Sequence, residues 1–142
     1  MLTLLASAAR TASGDSGALG KPLHPELIEA ASFIIDVTAA ADDVDDTLNV
    51  FIQSFKHGIW EDLVHFTEVL GNGGAVKEIT EWARDVAVDA EILAPQDAAL
   101  AEGVKQGGIL GTDLRIKWVV VDPTGADATF TFSVSMEAVR RH

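Results

Sequence analysis

Two stretches near the end of the chain alternate between apolar and largely polar side chains. Leu114, Ile116, Trp118 and Val120 take turns with Arg115, Lys117 and Val119. Phe130, Phe132, Val134 and Met136 do the same with Thr129, Thr131, Ser133 and Ser135. A β-strand sends successive side chains to opposite faces, so period two marks a strand with one buried face. Between the two stretches lies Asp122-Pro123-Thr124-Gly125, where Pro presets the φ of a turn and Gly closes it. The pattern predicts a half-buried hairpin.

Period two recurs upstream. Phe33, Ile35 and Val37 share one face of Ser32–Ala39, and Leu48, Val50 and Ile52 share one face of Thr47–Phe55. Val64 and Phe66 alternate with His65 and Thr67, up to the cluster Gly71-Asn72-Gly73-Gly74. Glycine adopts positive φ at little steric cost, so that cluster reads as a hairpin turn. Earlier, Ser13–Gly17 and Gly20-Lys21-Pro22 read as turns or a surface loop. Short strands separated by turns specify a mainly all-β fold, an antiparallel β-sandwich of jelly-roll or immunoglobulin-like type. A length of 142 residues fits one domain, 1–142. Its expected appendages are an N-terminal arm, 1–12, and a partly helical insertion, 85–108.

One region follows a different period. Val76, Ile79, Ala83, Val86, Ala90 and Leu93 recur at spacings of three and four, which favours an amphipathic helix. The counter-reading makes Ala75–Ala83 a strand paired with the preceding one across the glycine cluster. A second short helix is expected after Pro95, through Ala98-Ala99-Leu100, with Gly103 as its stop.

Charge narrows the function. Lys and Arg total 10 against 22 Asp and Glu, a formal net charge of −12. Such a surface repels phosphate backbones and anionic membranes, so neither nucleic acid nor a membrane is an expected partner. No aliphatic run approaches the roughly 20 residues of a membrane helix. The opening MLTLLASAAR lacks the basic start and long apolar region of a signal peptide, and reads as a first strand or extended arm. With no cysteine, disulfides, Cys-based zinc sites and thiol catalysis are excluded.

Motifs for chemistry are also missing. Asp42-Asp43-Val44-Asp45-Asp46 offers hard oxygen ligands, but an EF-hand loop counted from Asp43 would place Leu48 at the glycine position and Ser54 at the terminal glutamate. It reads as an acidic loop between strands, and no divalent cation is expected to be required for folding. His24, His57, His65 and His142 form no HExxH and no close pair, although His57 and His65 lie on opposite sides of Gly58 and Trp60, where a hairpin would bring them nearer. No G-x-S-x-G elbow, Ser-x-x-Lys or P-loop occurs. Expected catalytic, cofactor-binding and metal residues are therefore none, and the chain reads as no enzyme.

Four stretches resemble a known family: Arg10–Gly17 (RTASGDSG), Asp46–Gln53 (DTLNVFIQ), Asp113–Trp118 (DLRIKW) and Ala128–Ser135 (ATFTFSVS). Together with Val37–Ala39, Trp60 and Phe66-Thr67, they are similar in content and order to small β-sandwich virion structural proteins of tailed bacteriophages. The acidic loop and the region from about Asp85 to Gly111 depart from that pattern. The resemblance implies a head decoration or cement protein on the outer surface of the virion, binding the major capsid protein and itself as a dimer or trimer. Its alternative is a neck or tail accessory or adsorption module that binds a host glycan or another tail protein. It implies no cofactor. Contact with a partner is expected from Val86, Val88, Ile92, Leu93 and Leu100, aliphatic residues in a segment surplus to the sandwich, and from Leu2 and Leu4 of the arm.

Overall fold

The computed structural model describes residues 1–20, 23–41, 43–84, 100–105, 110–125 and 127–140. Among the described residues, ten strands form two antiparallel sheets: β1 (Leu2–Arg10), β2 (Gly14–Asp15), β3 (Ile28–Ala39), β4 (Thr47–Lys56), β5 (Ile59–His65), β6 (Val69–Leu70), β7 (Val76–Ala83), β8 (Val104–Lys105), β9 (Asp113–Val121) and β10 (Phe130–Arg140). One sheet runs β1-β10-β3-β7, the other β2-β9-β4-β5-β8, with β6 paired to the start of β4. The two enclose a single hydrophobic core. The expected all-β sandwich is what forms.

The period-two residues fall on the faces their alternation assigns. Phe33, Ile35 and Val37 from β3 and Phe130, Phe132, Val134 and Met136 from β10 are buried on one side. Leu48, Val50 and Ile52 from β4 and Leu114 and Ile116 from β9 meet them from the other. Trp118 is half-buried at the margin and meets Phe132 edge to face, ring centroids 6.2 Å apart.

Partners are another matter. β9 and β10 are not a hairpin: β9 pairs with β4 and β2, while β10 pairs with β3 and β1. Residues 122–129 carry the chain from one sheet to the other, and that span is too long for the tight two-residue loops that close most hairpins. The glycine cluster is no hairpin turn either. Gly71–Gly73 forms a short 3₁₀ turn, after which the chain changes sheets and β7 pairs with β3. The tight hairpin is β4–β5, where Lys56 pairs with Ile59. Its loop residues His57 (φ 56°) and Gly58 (φ 79°) both take the left-handed conformation that a two-residue type I′ turn requires.

The helix expected from Val76 is a strand over Val76–Ala83. Its pairing partner is β3, in register from Val37↔Val76 to Ala30↔Ala83, and not the strand before the glycines. β7 stands at a sheet edge, where inward-facing positions overhang the rim of the core and need not be apolar. Trp82 reaches the core, while the Glu78 carboxylate accepts hydrogen bonds from the Thr67 backbone N–H (3.1 Å) and hydroxyl (3.2 Å). That mixture hides the period of two. The rest of the first expected helix and most of the second lie outside the described residues. Within the expected insertion, Val104–Lys105 forms β8 against β5.

Phe132 has no solvent exposure and sits mid-strand between β1 and β3. Phe132→Ala should lower the unfolding free energy by about 3–5 kcal/mol, measured by urea denaturation, as the lost burial and residual cavity add.

Candidate functional site

At one end of the sandwich the β3–β4 connection meets the β9–β10 crossing. Thr47 of β4 pairs with Val121 of β9, so Asp46 and Asp122 directly follow that register. The Asp122 carboxylate organises the crossing. Its Oδ1 accepts hydrogen bonds from the Gly125 N–H (2.7 Å) and the Thr124 hydroxyl (3.4 Å). Its Oδ2 accepts from the N–H groups of Asp127 (3.1 Å) and Ala128 (3.2 Å). This is the local side-chain-to-backbone bonding for which Asp is favoured in turns. The wrapped loop delivers Asp127 back toward Asp46. Carboxylate oxygens of Asp46, Asp122 and Asp127 lie within 4.8 Å of one another.

The remainder of the acidic loop plays a different part. The Asp43 carboxylate accepts the Asp45 N–H (3.1 Å), and the Asp43 carbonyl accepts the Asp46 N–H (3.2 Å), which closes a turn. Asp45 stays in solvent while Asp46 turns inward and is only 1% exposed. Gly71 clamps this turn by donating its N–H to the Asp46 carbonyl (2.7 Å). A Cβ on Gly71 would stand 2.0 Å from the Asp43 carbonyl oxygen, which explains a glycine there. Neither carboxylate oxygen of Asp46 meets an N–H or hydroxyl donor, and the Asp122 carboxyl stands within hydrogen-bonding reach of it. Burial pushes its carboxyl above the ordinary carboxylate range, and the charges of Asp122, Asp43 and Asp127 push in the same direction. A groove lined by Ala41, Asp43, Asp46, Asn72, Asp127 and Thr129 opens onto this cluster.

A second polar region covers the outer face of β4 and β5. The Gln53 amide donates to Asp62 (2.7 Å), and the Gln53 carbonyl oxygen accepts from Arg115 Nε (2.7 Å). The Arg115 guanidinium lies over the Trp60 ring, 4.5 Å from its centroid. Leu100 docks here through its backbone: its N–H donates to Asp62 (3.0 Å), and its carbonyl lies 2.7 Å from His65 Nδ1. His65 also stacks on Phe51, centroids 4.0 Å apart. Leu100 is thus anchored on this chain's own sandwich. The other expected contact residues of the segment, Val86, Val88, Ile92 and Leu93, lie outside the described residues.

The expected N-terminal arm is mostly β1, an edge strand bonded to β10. Leu4 is buried in the core, a correction to its expected role as a partner contact, whereas Leu2 is 44% exposed. Arg10 secures the far end of the strand. Its guanidinium donates to the carbonyls of Ala6, Ala8 and Phe132, each at 2.9 Å, and lies over the rings of Phe132 and Trp118.

Among the described residues the histidines do not assemble, and His142 lies outside them. His57 occupies the β4–β5 turn beside Glu61 (3.3 Å), His65 ends the same hairpin beside Asn49 and Leu100, and His24 pairs with Glu26. Among the described residues, the group of metal-ligating side chains that converges is the three aspartates. Sequence spacing missed it because its members come from two distant loops. The signal available was an Asp immediately before β4 and another immediately after β9. Compared with protein-family models, curated proteins and solved structures, the chain matches none.

Because the Arg10 fork joins three carbonyls and two rings, Arg10→Ala should destabilise the protein by about 1–3 kcal/mol in denaturant unfolding. Arg10→Lys should recover less than half of that loss, since an ammonium cannot reproduce the planar fork. The same variants should be clipped faster by protease within residues 2–10.

Proposed function

We propose that this chain is a non-enzymatic structural protein of a tailed-phage particle: a decoration or cement protein on the outside of the head that binds the major capsid protein and further copies of itself. The observation that carries the reading is the edge of β1. Leu2–Ala9 contains no charged residue, stands at the rim of its sheet, and exposes Leu2, Thr3 and Ala6–Ala9. Long uncharged edges invite pairing with another strand, and monomeric proteins guard against this with charge, proline or shortness. The opposite edge of the same sheet, β7, carries Lys77, Glu78 and Glu81, and the edge strands β2 and β8 of the other sheet have two residues each. Among the described edges, β1 is the long one without charge between Leu2 and Ala9, its register against β10 shifting between Thr3 and Leu5 and between Leu5 and Ala8. The net charge of −12 supports an outward position, away from packaged DNA.

Quantitative mass spectrometry of purified particles that carry the chain tests this directly. Hundreds of copies per particle are expected. A few to tens of copies would move the chain to the neck or tail, and its absence from particles would overturn the reading. The double variant Leu2→Lys/Ser7→Lys should retain its melting temperature within a few degrees, because both positions are exposed. It should lose most of its occupancy on heads.

A further inference from the structure

Asp46 presents an unsolved problem of charge. It is 1% exposed, its two carboxylate oxygens meet no N–H or hydroxyl donor, and it is aimed at the carboxylates of Asp122 and Asp127. An unpaired buried carboxylate is costly, and like charges placed opposite one another across a sheet destabilise it. A hard cation removes both penalties together.

We infer that Asp46, Asp122 and Asp127 form a binding site for a calcium-type divalent cation. Calcium takes six to eight oxygens at about 2.3–2.6 Å, so oxygens on opposite sides of the ion stand about 4.6–5.2 Å apart. Three oxygens within 4.8 Å of one another are close to the spacing one such ion needs, and small side-chain rotations, with release of the long Thr124–Asp122 bond, bring all three onto it. Magnesium demands a tighter octahedron, about 4.1 Å across, and gives up its waters reluctantly. Each ligand is held by a separate device. The Asp43–Asp46 turn and Gly71 fix Asp46, the backbone of the crossing fixes Asp122, and the Asp122 carboxylate fixes the backbone of Asp127. Asp43, Asn72 and Thr129 line the adjoining groove, where oxygen ligands and water complete the shell. Bound there, the ion ties the β3–β4 connection to the β9–β10 crossing and strengthens a sandwich that folds on its hydrophobic core.

Chelator-treated full-length protein, melted at pH 7 while calcium chloride is raised to 10 mM, tests the site, with magnesium chloride as control. A dissociation constant of about 0.1–1 mM, in the range of extracellular calcium modules, predicts a saturable rise in the folded-to-unfolded ratio of about 10–100-fold. Asp127→Asn changes an exposed loop residue and should abolish the calcium response without unfolding the protein. Asp46→Asn should abolish it too, while melting no lower than the wild type in chelator. Calorimetric titration with calcium should show one site in the wild type and none in either variant. A wild-type melt that calcium moves no further than magnesium, or an Asp127→Asn response equal to the wild type's, overturns the proposal. If, in addition, Asp46→Asn melts above a calcium-insensitive wild type, a proton shared between carboxyl groups is what Asp46 relies on instead.

Discussion

Four donors converge on the Asp122 carboxylate, and the path of the chain between its two sheets depends on them. Without that wrapped loop, β9 and β10 would be two alternating strands next to each other in sequence, with every local reason to pair. Pro123 favours a turn, but a turn alone does not choose between a hairpin and a crossing. The carboxylate chooses, by collecting the N–H groups of Gly125, Asp127 and Ala128 on its own two oxygens. Each long strand then finds a partner from an earlier part of the chain, and their apolar faces close on each other as opposite walls of the core.

This accounts for what the sequence made legible and what it did not. Alternation reports which face of a strand is buried, so Phe33, Ile52, Ile116 and Phe132 were identifiable as core residues from their spacing. It carries no information about which strand lies alongside. The expected final hairpin was therefore built of the right strands with the wrong neighbour. β7 failed for another reason: an edge position let Glu78 and Thr80 occupy inward-facing places, and the surviving apolar residues fell at helical intervals by coincidence. The His57-Gly58 hairpin lay in plain view, but its left-handed histidine is a residue type that turn rules rank below asparagine and glycine.

The acidic end of the molecule was hidden more deeply. A search for ligand spacing within one loop weighs Asp42–Asp46 as a unit, and as a unit that loop fails. The fold disassembles it: Asp43 becomes a turn cap, Asp45 faces water, and Asp46 joins residues from the far end of the chain. The register Thr47↔Val121 creates the cluster, and register is a property of strand pairing. The acidic composition that argues against nucleic acid as a partner thus has a local meaning as well as a global one, in the few places where the fold concentrates it.

The order of strands in the four-stranded sheet also bears on how the protein is made. β1 is synthesised before the other described strands, yet its neighbour in the sheet is β10, the last of them. β3 likewise gains one of its two partners only when β10 emerges. At about 5–20 residues per second, β1 waits roughly 6–24 s without a mate, Arg10 its single charged residue. The six-stranded sheet, by contrast, can begin at the β4–β5 turn as soon as that hairpin leaves the ribosome. Nascent chains therefore carry an unclosed sandwich until β9 and β10 emerge, and the step that closes it joins the first described strand to the last.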